Sequence, residues 1–340
     1  MPQAAIQLQE WRRRSTDRGA PRFCQIDAGS RQVSPRDELI DGLSQQHPRI
    51  APKFFYDELG SHLFEAITLL DEYYPTRTEV AVFEQHRREI AASVGAGCTL
   101  IDLGAGNCAK AASLFASLRP AGYVAVDISV EFVRRAVQRL ADAHPEIAMA
   151  GVGMDFSDSL PLPDFAGMVD GEAGVPLFFY PGSSIGNFTP PQALALLERI
   201  RARSGGGGLL IGVDLLKPVD QLVDAYDDAL GVTAAFNRNV LRHANRLIGA
   251  DFDPTQWRHV ALFNQVRSRI EMHLEATRAV EVRWHGGGRS FTAGERIHTE
   301  SAYKYTAERF AALLRQAGFT ALRHWSDAGA RYAVFHARAA

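Results

Sequence analysis

The sequence contains few cysteines and no long apolar run. Its three cysteines, Cys24, Cys98 and Cys108, are too few for a disulfide framework and lack the spacing of a zinc site. No apolar stretch approaches the roughly 20 residues that a bilayer-spanning helix requires. The arginines at positions 12–14 are not followed by the apolar segment of a secretory signal. We therefore expect a cytoplasmic protein without a metal ion and without membrane contact.

The sequence also lacks an excess of positive charge and shows no internal repeat. Its 37 lysines and arginines are balanced by 39 aspartates and glutamates, which gives a formal net charge of −2. Such a balance provides no basic field that would attract nucleic acid. With 340 residues, of which 46% are hydrophobic, the chain is long enough for one large or two medium-sized globular domains.

A glycine turn lies in the stretch Thr99–Ser113, T-L-I-D-L-G-A-G-N-C-A-K-A-A-S. A short apolar run ends at Asp102, the turn contains Gly104 and Gly106, and alanine-rich sequence with helical character follows. A strand that enters a helix through such a turn exposes backbone N–H groups, and glycine lets a ligand approach that backbone closely. The stretch therefore predicts a cofactor-binding site.

From this turn to about residue 215, segments typical of strands alternate with segments typical of helices. This alternation predicts an α/β fold with a parallel, doubly wound, Rossmann-like sheet. Between about 217 and 303 the alternation stops, and helices followed by strand-like stretches indicate a separate α+β unit. The predicted sheet begins at Thr99 with the short apolar run that meets Asp102, and its next strands are predicted at 123–128, 148–154, 175–180 and 208–215. Predicted helices include 131–143, 190–203, 219–230 and 233–248.

These changes in pattern divide the chain into three predicted parts. Residues 1–28 are polar and arginine-rich and are predicted to form a loosely held N-terminal arm. Residues 29–77 and 214–303 are predicted to form a substrate-binding lobe, whose second segment is inserted before the last strands of the sheet. Residues 78–213 and 304–340 are predicted to form the cofactor-binding domain.

Further acidic positions narrow the choice of cofactor. Asp127 ends the second predicted strand, where a carboxylate can bind ribose hydroxyls. Asp155 and Phe156 follow the third strand and can hold an adenine amino group and stack on its ring. Together with Asp102, they favour S-adenosylmethionine (SAM) over a nicotinamide cofactor. The turn also fits the relaxed dinucleotide pattern, so a nicotinamide enzyme and a turn without a cofactor stay open at this point.

A second candidate site is the loop Pro181–Phe188, P-G-S-S-I-G-N-F, which directly follows the apolar fourth strand. Ligands of open α/β sheets bind at such strand ends. Two glycines, two serines and an asparagine are suited to a polar lining and poorly suited to a core. The plainer interpretation is an ordinary strand–helix connection in which Asn187 or Thr189 caps the next helix.

Over about residues 50–335 the sequence carries long motifs in a fixed order: F-Y-D-E-L-G-S-H-L-F, E-Y-Y-P-T-R-T-E, D-L-G-A-G-N-C-A-K, P-G-S-S-I-G-N-F, A-Y-D-D-A-L-G-V-T-A-A-F-N-R-N-V-L, I-E-M-H-L and H-T-E-S-A-Y-K-Y. This series resembles the SAM-dependent L-histidine Nα-methyltransferases of ergothioneine biosynthesis. The resemblance implies a class I methyltransferase fold, SAM as co-substrate, and conversion of L-histidine to its Nα-trimethyl betaine, hercynine. We expect a monomer whose partner is a small-molecule amino acid.

The resemblance also implies roles for matching positions. Asn187 and Tyr226 match the residues that hold the α-amino and α-carboxylate groups of the substrate. Met272 and Glu300 match the residues around its imidazole. The implied cofactor-binding residues are Tyr56, Gly104, Lys110, Asp127, Asp155 and Phe156. The implied substrate-binding residues are Tyr73, Asn187, Tyr226, Met272, Glu300 and Ala302, of which Tyr73, Asn187 and Tyr226 are the expected catalytic residues.

Ala302 departs from the family pattern, which usually has a serine at this position as a second imidazole partner. Because alanine cannot donate a hydrogen bond, the imidazole would rely on Glu300, on water, or on Ser301 turned inward. Losing one hydrogen bond at a buried polar group costs about 1–3 kcal/mol. If this loss weakens histidine binding, Ala302→Ser should strengthen it. A methyltransferase for another amino acid or a histidine derivative therefore stays open. A SAM-binding regulator without turnover is a separate alternative.

Several of these residues also have plainer interpretations. Tyr73 and Tyr226 fit amphipathic tyrosines at an interface between lobes. Met272 fits the apolar face of a strand, and Glu300 fits a solvated strand end. Lys304 shows no ligand spacing and is interpreted as a surface or structural residue.

Overall fold

The structure is a computed structural model that describes residues 20–26, 34–162 and 174–339. Its helices are α1 (Pro35–Ser44), α2 (Glu58–Ile67), α3 (Tyr74–Gln85), α4 (Arg87–Val94), α5 (Ala109–Leu118), α6 (Val130–Ala143), α7 (Pro190–Arg203), α8 (Val219–Asp224), α9 (Val232–Ile248) and α10 (Ala307–Gln316). Its strands are β1 (Arg22–Gln25), β2 (Thr99–Leu103), β3 (Gly122–Asp127), β4 (Ala148–Gly153), β5 (Pro176–Tyr180), β6 (Gly208–Asp214), β7 (Trp257–Asn264), β8 (Arg269–Ala276), β9 (Val280–Trp284), β10 (Gly287–Phe291), β11 (Arg296–Tyr303), β12 (Phe319–Ser326) and β13 (Tyr332–Ala339).

One sheet of eight strands organises the larger part of the molecule, in the order β1-β4-β3-β2-β5-β6-β13-β12. Strands β1 to β6 pair in parallel, whereas β13 runs antiparallel to both β6 and β12. The strand order reverses at β2, which lies between β3 and β5. The prediction of a doubly wound α/β fold is confirmed, and ligands of such folds bind at the point of reversal.

The side chains of β2 show why this strand is central. All five of its residues are buried. Ile101 and Leu103 pack into the hydrophobic cluster on one face of the sheet, and Leu100 packs into the cluster on the other face. Successive side chains of a strand point to opposite faces, so a continuous apolar run is buried only where helices cover both faces.

The N-terminal arm predicted over residues 1–28 is corrected in part. Arg22–Gln25 form the edge strand β1, in which Phe23 pairs with Gly151 of β4. A Cβ atom on Gly151 would lie 2.7 Å from the Phe23 ring, so the glycine leaves room for that ring. A strand of four residues has too short a pattern to be recognised in a polar segment. The rest of the predicted arm, residues 1–19, 27 and 28, lies outside the described residues.

Away from this sheet, β7, β8 and β11 form an antiparallel sheet in the order β11-β8-β7, and β9 and β10 form a hairpin. A third hydrophobic cluster joins these strands to α9 and to residues 39–67 near the start of the described chain. The rings of Phe55 and Phe236 stack within it, with their centroids 4.5 Å apart. Among the described residues, no helix is long and apolar enough to cross a membrane.

The predicted helix 219–230 ends earlier than the pattern indicates, because α8 stops at Asp224. Asp228 then accepts hydrogen bonds from the backbone N–H groups of Val232 and Thr233 at the start of α9, with distances of 2.9 and 2.7 Å. A carboxylate that satisfies the first N–H groups of a helix fixes where that helix begins. The turn between α8 and α9 places Tyr226 outside both helices.

Candidate active site

The glycine turn after β2 is held open by its backbone conformation. Gly104 and Gly106 have φ values of 70° and 52°, in the left-handed region that glycine adopts without strain. A Cβ atom built on either glycine would meet no other atom within 4 Å, so both face open space. Asp102, just before the turn, is buried and accepts a hydrogen bond from the Tyr123 hydroxyl, and burial raises its pKa to about 7.

Asp127 at the end of β3 faces the same turn. Its Oδ2 atom accepts the N–H of Gly106, and its Oδ1 atom accepts the N–H of Ser129, both at 2.9 Å. Burial raises the pKa of Asp127, against the effect of these backbone hydrogen bonds. The backbone N–H of Ile128 also interacts with this carboxylate. An ionised carboxylate has about four acceptor sites, so Asp127 can accept a further hydrogen bond, as from a ribose hydroxyl.

Asp155 and Phe156 follow β4 as the sequence predicts. The Lys53 ammonium lies 2.8 Å from Asp155 Oδ2, and Ser157 donates to Oδ1 through its N–H and its hydroxyl. Burial alone would raise the pKa of Asp155, but the hydrogen bonds from Lys53 and Ser157 outweigh it and hold the pKa below its ordinary value. The Phe156 ring packs edge-on against Tyr180, with centroids 5.8 Å apart.

A buried carboxylate, Glu79 of α3, connects the start of α5 to the loop after β5. Its Oε2 atom lies 2.6 Å from the Lys110 ammonium, and its Oε1 atom accepts the N–H of Gly182 at 2.8 Å and the Tyr332 hydroxyl at 2.6 Å. A Cβ atom on Gly212 of β6 would lie 2.1 Å from Glu79 Oε1 and 2.3 Å from the Tyr332 oxygen. Glycine at this strand position is therefore what gives the carboxylate its space.

These features line one cleft of about 1240 Å3 at the reversal point of the sheet. The open glycine turn, the Asp127 carboxylate and the aromatic ring after β4 fit a nucleoside cofactor such as SAM. Among the described residues, no group of histidine, cysteine and carboxylate side chains has the arrangement of a metal site. The cleft is lined by all six residues expected to bind the cofactor, namely Tyr56, Gly104, Lys110, Asp127, Asp155 and Phe156.

A smaller cavity of about 50 Å3 adjoins this cleft and contains polar groups without a protein partner. Within the described ranges, the side chains of Tyr73, Asn187 and Glu300 make no hydrogen bond, although all three line the cavity. Glu300 is buried, whereas Tyr73 and Asn187 are half-buried. Because a buried carboxyl group is ordinarily hydrogen-bonded, the free Glu300 and the two polar side chains beside it indicate a polar ligand. The residues that line both the cavity and the cleft are Tyr56, Phe64, Tyr73, Gly182, Ser184 and Asn187.

The protonation states in the cavity follow from its burial. Burial raises the pKa of Glu300 to about 7, while the Lys304 ammonium acts in the opposite direction. Burial, together with Tyr226 and Glu300, also raises the pKa of Tyr73 well above its ordinary value. Glu300 can therefore hold or release a proton near neutral pH, whereas Tyr73 stays a neutral phenol.

Tyr226 lines the same cavity and is tied to a buried charge network. The Lys304 ammonium donates to the Tyr226 hydroxyl oxygen at 3.0 Å and lies 2.7 Å from Asp214 Oδ2. Asp214 also accepts hydrogen bonds from Lys217, at 2.6 Å, and from the Tyr74 hydroxyl. Lys304 is only 4% exposed. The interpretation of Lys304 as a surface residue is therefore wrong, whereas a structural role fits.

Two of the implied substrate residues do not line the cavity. Met272 pairs with Glu300 across β8 and β11 but packs into the third hydrophobic cluster. Ala302 packs with Leu222 and Ile270 in a small apolar cluster, against which Tyr226 lies. A period of two shows which residues share a face of a strand, but it does not show how far a cavity extends along that face.

Ser301 does not replace the missing serine. It pairs with Glu271, which places its side chain on the opposite face of β11 from Glu300. Its hydroxyl instead lies 3.0 Å from the Nε2 atom of His298. Glu300 is therefore the acidic group of the cavity, and Ser301 does not bring a hydroxyl group of β11 next to it.

The loop after β5 brings Asn187 to the cavity through a close backbone approach. Residues Ser184–Asn187 form a single 3-10 turn, preceded by Ser183 in the left-handed region at φ 59°. A Cβ atom on Gly186 would lie only 2.9 Å from the Tyr303 carbonyl oxygen, so a glycine lets the loop pack directly on β11. This contact sets Asn187 beside the strand that carries Glu300.

Sequence reasoning missed three charged residues of the site: Lys53, Glu79 and, as a buried group, Lys304. Glu79 lies within the quoted motif E-Y-Y-P-T-R-T-E and Lys304 within H-T-E-S-A-Y-K-Y. Their position in these motifs indicated that both residues could belong to the site, but no local pattern indicated a role for either of them. Glu79 pairs with Lys110, which lies 31 residues further along the chain. Lys304 pairs with Asp214, which lies 90 residues earlier.

Comparison with known proteins adds the following findings. A family model described as "Histidine-specific methyltransferase, SAM-dependent" matches residues 35–339. The "Histidine N-alpha-methyltransferase" of Mycolicibacterium smegmatis is 38% identical over 309 residues, which cover 89% of this chain and 94% of the relative.

More distant relatives carry other names. The "Ergothioneine biosynthesis protein 1" of Neurospora crassa is 31% identical over 290 residues, covering 82% of this chain and 32% of that longer protein. The "4-dimethylallyltryptophan N-methyltransferase" of Trichophyton verrucosum is 24% identical over 332 residues, covering 93% of this chain and 96% of the relative. The similarity therefore extends over most of this chain in both cases.

Proposed function

The chain belongs to the family of histidine-specific, SAM-dependent methyltransferases, and we propose that it converts L-histidine to Nα,Nα,Nα-trimethyl-L-histidine, hercynine, in ergothioneine biosynthesis. The observation that carries the proposal is the set of free polar side chains around one cavity beside the glycine turn. These are a neutral phenol at Tyr73, a carboxamide at Asn187 and a carboxyl group at Glu300. An amino acid with a polar, hydrogen-bonding side chain matches this set.

SAM would occupy the cleft with its ribose on Asp127 and its adenine between Asp155 and Phe156. Lys110 would face the methionine carboxylate, and Tyr56 would lie near the methionine end. Bound SAM supplies a methyl group that is already activated by its positive sulfonium. The protein therefore contributes mainly orientation and exclusion of water, which are the effects that speed an in-line displacement between two held reactants.

The substrate would lie with its imidazole toward Glu300 and its α-nitrogen toward the cleft. Asn187 would accept a hydrogen bond from the α-nitrogen through its side-chain oxygen, which leaves the nitrogen lone pair free. A free α-amino group has a pKa of roughly 8 and is largely protonated at pH 7. A proton must therefore leave before each transfer, and the neutral Tyr73 phenol or a water can pass it toward solvent.

Three successive transfers require a cavity that accepts the amine, the monomethyl and the dimethyl forms. Few donors should point at the nitrogen, because each would compete for the lone pair that attacks the methyl group. Anchoring the substrate at its carboxylate and imidazole keeps the nitrogen in line while its substituents change.

A second candidate is α-amino methylation of a different amino acid. It is favoured by the alanine at position 302 and by the relative whose printed name is a 4-dimethylallyltryptophan N-methyltransferase. In that case the cavity near Glu300 would take a side chain other than imidazole. The third interpretation, a SAM-binding regulator, does not explain why Tyr73, Asn187 and Glu300 are left free around the same cavity.

The proposal is tested by incubating the purified chain with SAM and L-histidine and following the product by mass spectrometry. We expect a gain of three methyl groups on the α-nitrogen. Equimolar L-tryptophan and L-tyrosine in the same reaction test the second candidate, and Asn187→Leu serves as the variant with an impaired site. Methylation of tryptophan or tyrosine in preference to histidine would contradict the histidine assignment. S-adenosylhomocysteine binding without any methylated product would support the regulator.

A further inference from the structure

Lys304 lies at the end of β11, immediately behind the cavity wall. Its ammonium donates to the Tyr226 hydroxyl oxygen at 3.0 Å and lies 4.9 Å from the centre of the Tyr226 ring. It also forms an ion pair with Asp214, 2.7 Å away, which Lys217 shares. Lys304 does not line the cavity, whereas Tyr226 does. Lys304 can therefore act on a ligand through its hydrogen bond to Tyr226, and through the effect of its charge on Glu300.

The direction of this hydrogen bond has a chemical consequence. An ammonium group has three donors and no acceptor, so the bond must use a lone pair of the Tyr226 oxygen. The Tyr226 proton must then point elsewhere, and no described residue accepts it. Burial, with Glu300 and Asp214 nearby, raises the pKa of Tyr226 well above its ordinary value. Tyr226 therefore stays a phenol that offers a donor to whatever occupies the cavity.

We propose that Lys304 is a positioning residue: it commits the Tyr226 hydroxyl to donate into the cavity, toward the substrate α-carboxylate that the family resemblance already implies as the partner of Tyr226. A donor on the α-nitrogen would occupy the lone pair that must attack the methyl group. A donor on the carboxylate forms a strong, charge-assisted hydrogen bond. This inference rests on the proposed function only in that the ligand is an α-amino acid.

Lys217 provides a matched control within the same network. Its ammonium also binds Asp214, at 2.6 Å, and its side chain is 3% exposed compared with 2% for Lys304. Lys217 donates to Tyr74, which does not line the cavity, rather than to Tyr226. Lys217→Met and Lys304→Met therefore each remove one buried cation from Asp214 and leave the other. They differ in which tyrosine loses its donor.

The experiment compares L-histidine with L-histidinol, which has a hydroxymethyl group in place of the carboxylate. Dissociation constants are measured by calorimetry with S-adenosylhomocysteine bound, for the full-length wild type and both variants. We expect Lys304→Met to weaken L-histidine binding about tenfold or more, the usual effect of losing one hydrogen bond to a charged group. L-Histidinol binding should change less than about twofold. Lys217→Met should leave the ratio of the two constants unchanged.

A double variant tests whether Lys304 acts through Tyr226. In Tyr226→Phe, which has no hydroxyl to orient, adding Lys304→Met should weaken L-histidine binding by less than about twofold, because the two effects are not independent. Additive losses would overturn the inference. So would equal weakening of L-histidine and L-histidinol by Lys304→Met, or the same loss of discrimination in Lys217→Met. If Lys304→Met fails to bind S-adenosylhomocysteine, Lys304→Leu, which also has no donor, replaces it, and unchanged discrimination there also overturns the inference.

The outcomes separate this inference from the proposed function. A wild type that binds and methylates another amino acid, but not histidine, contradicts only the histidine assignment. The same comparison is then made with that amino acid and its amino alcohol. In the opposite case, the wild type trimethylates histidine, and the Lys304→Met variant still binds L-histidine more tightly than L-histidinol by the wild-type ratio. That result contradicts only the role of Lys304.

Discussion

The Glu79 carboxylate accepts the backbone N–H of Gly182 at 2.8 Å, and this hydrogen bond joins α3 to the loop after β5. The same carboxylate holds the Lys110 ammonium at 2.6 Å on its other oxygen. One side chain therefore fixes both a lysine that faces the cofactor cleft and the first residues of the loop that carries Asn187. Because Glu79 is 1% exposed, water cannot replace these bonds when they are lost.

Replacing Glu79 by glutamine should weaken cofactor binding. Glu79 uses one oxygen for Lys110 and the other for the Gly182 N–H and the Tyr332 hydroxyl. A glutamine has only one acceptor oxygen, so one of these two sets of donors loses its partner. We expect the affinity for S-adenosylhomocysteine, measured by calorimetry, to fall about tenfold, the effect of one charge-assisted hydrogen bond. Tyr332→Phe is the control, since it removes a different bond to Glu79 and should change this affinity less than about twofold. Equal losses in both variants would contradict a specific effect through Lys110.

Glu300 should give the stability of the ligand-free protein an unusual pH dependence. Burial raises its pKa from 4.5 to about 7, so the native state holds this proton more tightly than the unfolded chain does. The free energy of unfolding should therefore fall as the pH rises from about 4.5 to about 7, by up to about 3 kcal/mol from this group. Urea unfolding of the wild type and of Glu300→Gln at pH 5 and pH 8 checks this expectation, because the variant should lose that part of the decline.

Glu271 is the control for the Glu300 experiment. It pairs with Ser301, next to Glu300 in β11, but its hydrogen bonds, led by the one from Arg269, outweigh burial and lower its pKa to about 2. Its contribution to stability is lost only as the pH falls from about 4.5 toward 2. Glu271→Gln should therefore keep the decline in the free energy of unfolding between pH 5 and pH 8 that Glu300 causes. An unchanged slope in Glu300→Gln would show that Glu300 is not the group responsible.

The Ala302→Ser variant tests two different expectations for position 302, one implied by the family resemblance and one by the packing in the structure. The resemblance leads us to expect that a serine at position 302 strengthens histidine binding. In the structure, however, Ala302 is 4% exposed and packs with Leu222 and Ile270. A hydroxyl without a partner there should lower the free energy of unfolding by about 1–3 kcal/mol and leave the dissociation constant of L-histidine within about twofold. A clear gain in histidine affinity would instead show that the serine hydroxyl reaches the substrate.

Gly186→Ala should reduce catalysis more than cofactor binding. The added methyl group would lie 2.9 Å from the Tyr303 carbonyl oxygen, which belongs to β11 and cannot move aside as a side chain can. The loop would shift and carry Asn187 with it, and misplacing a catalytic group by about 1 Å can cost about 100-fold in rate. We expect kcat/KM for L-histidine to fall at least about tenfold, with S-adenosylhomocysteine affinity within about twofold. Unchanged kinetics would indicate that the loop absorbs the methyl group.

The sequence was sufficient for those parts of the site that follow from local pattern. The alternation of strands and helices predicted the sheet, and the glycine turn with Asp127 predicted a cofactor-binding site after the strand that the structure places at the reversal point. Short, regular elements of this kind have strong signals because they depend on neighbouring residues. The lobe boundaries and the roles of individual residues stay predictions.

The remaining features depend on contacts between distant segments. Glu79 meets Tyr332 from 253 residues away, and Tyr74 meets Asp214 from 140 residues away. The spacing of residues along the chain does not predict such pairs. In the sequence Lys304 therefore resembles an ordinary surface lysine, and only the fold shows that it lies next to Asp214. Met272 and Ala302 show the converse case, since matching a motif position did not bring either side chain to the cavity.

Gly212 has a consequence for how this sequence can vary over evolutionary time. A side chain at this position would overlap with both Glu79 and Tyr332, which reach β6 from the two ends of the chain. Substitutions at these three positions should therefore be inherited together: a relative with alanine or a larger residue at position 212 should have a shorter residue at 79 and no tyrosine hydroxyl at 332. Such covariation would mark the cofactor–loop connection in sequences for which no structure exists.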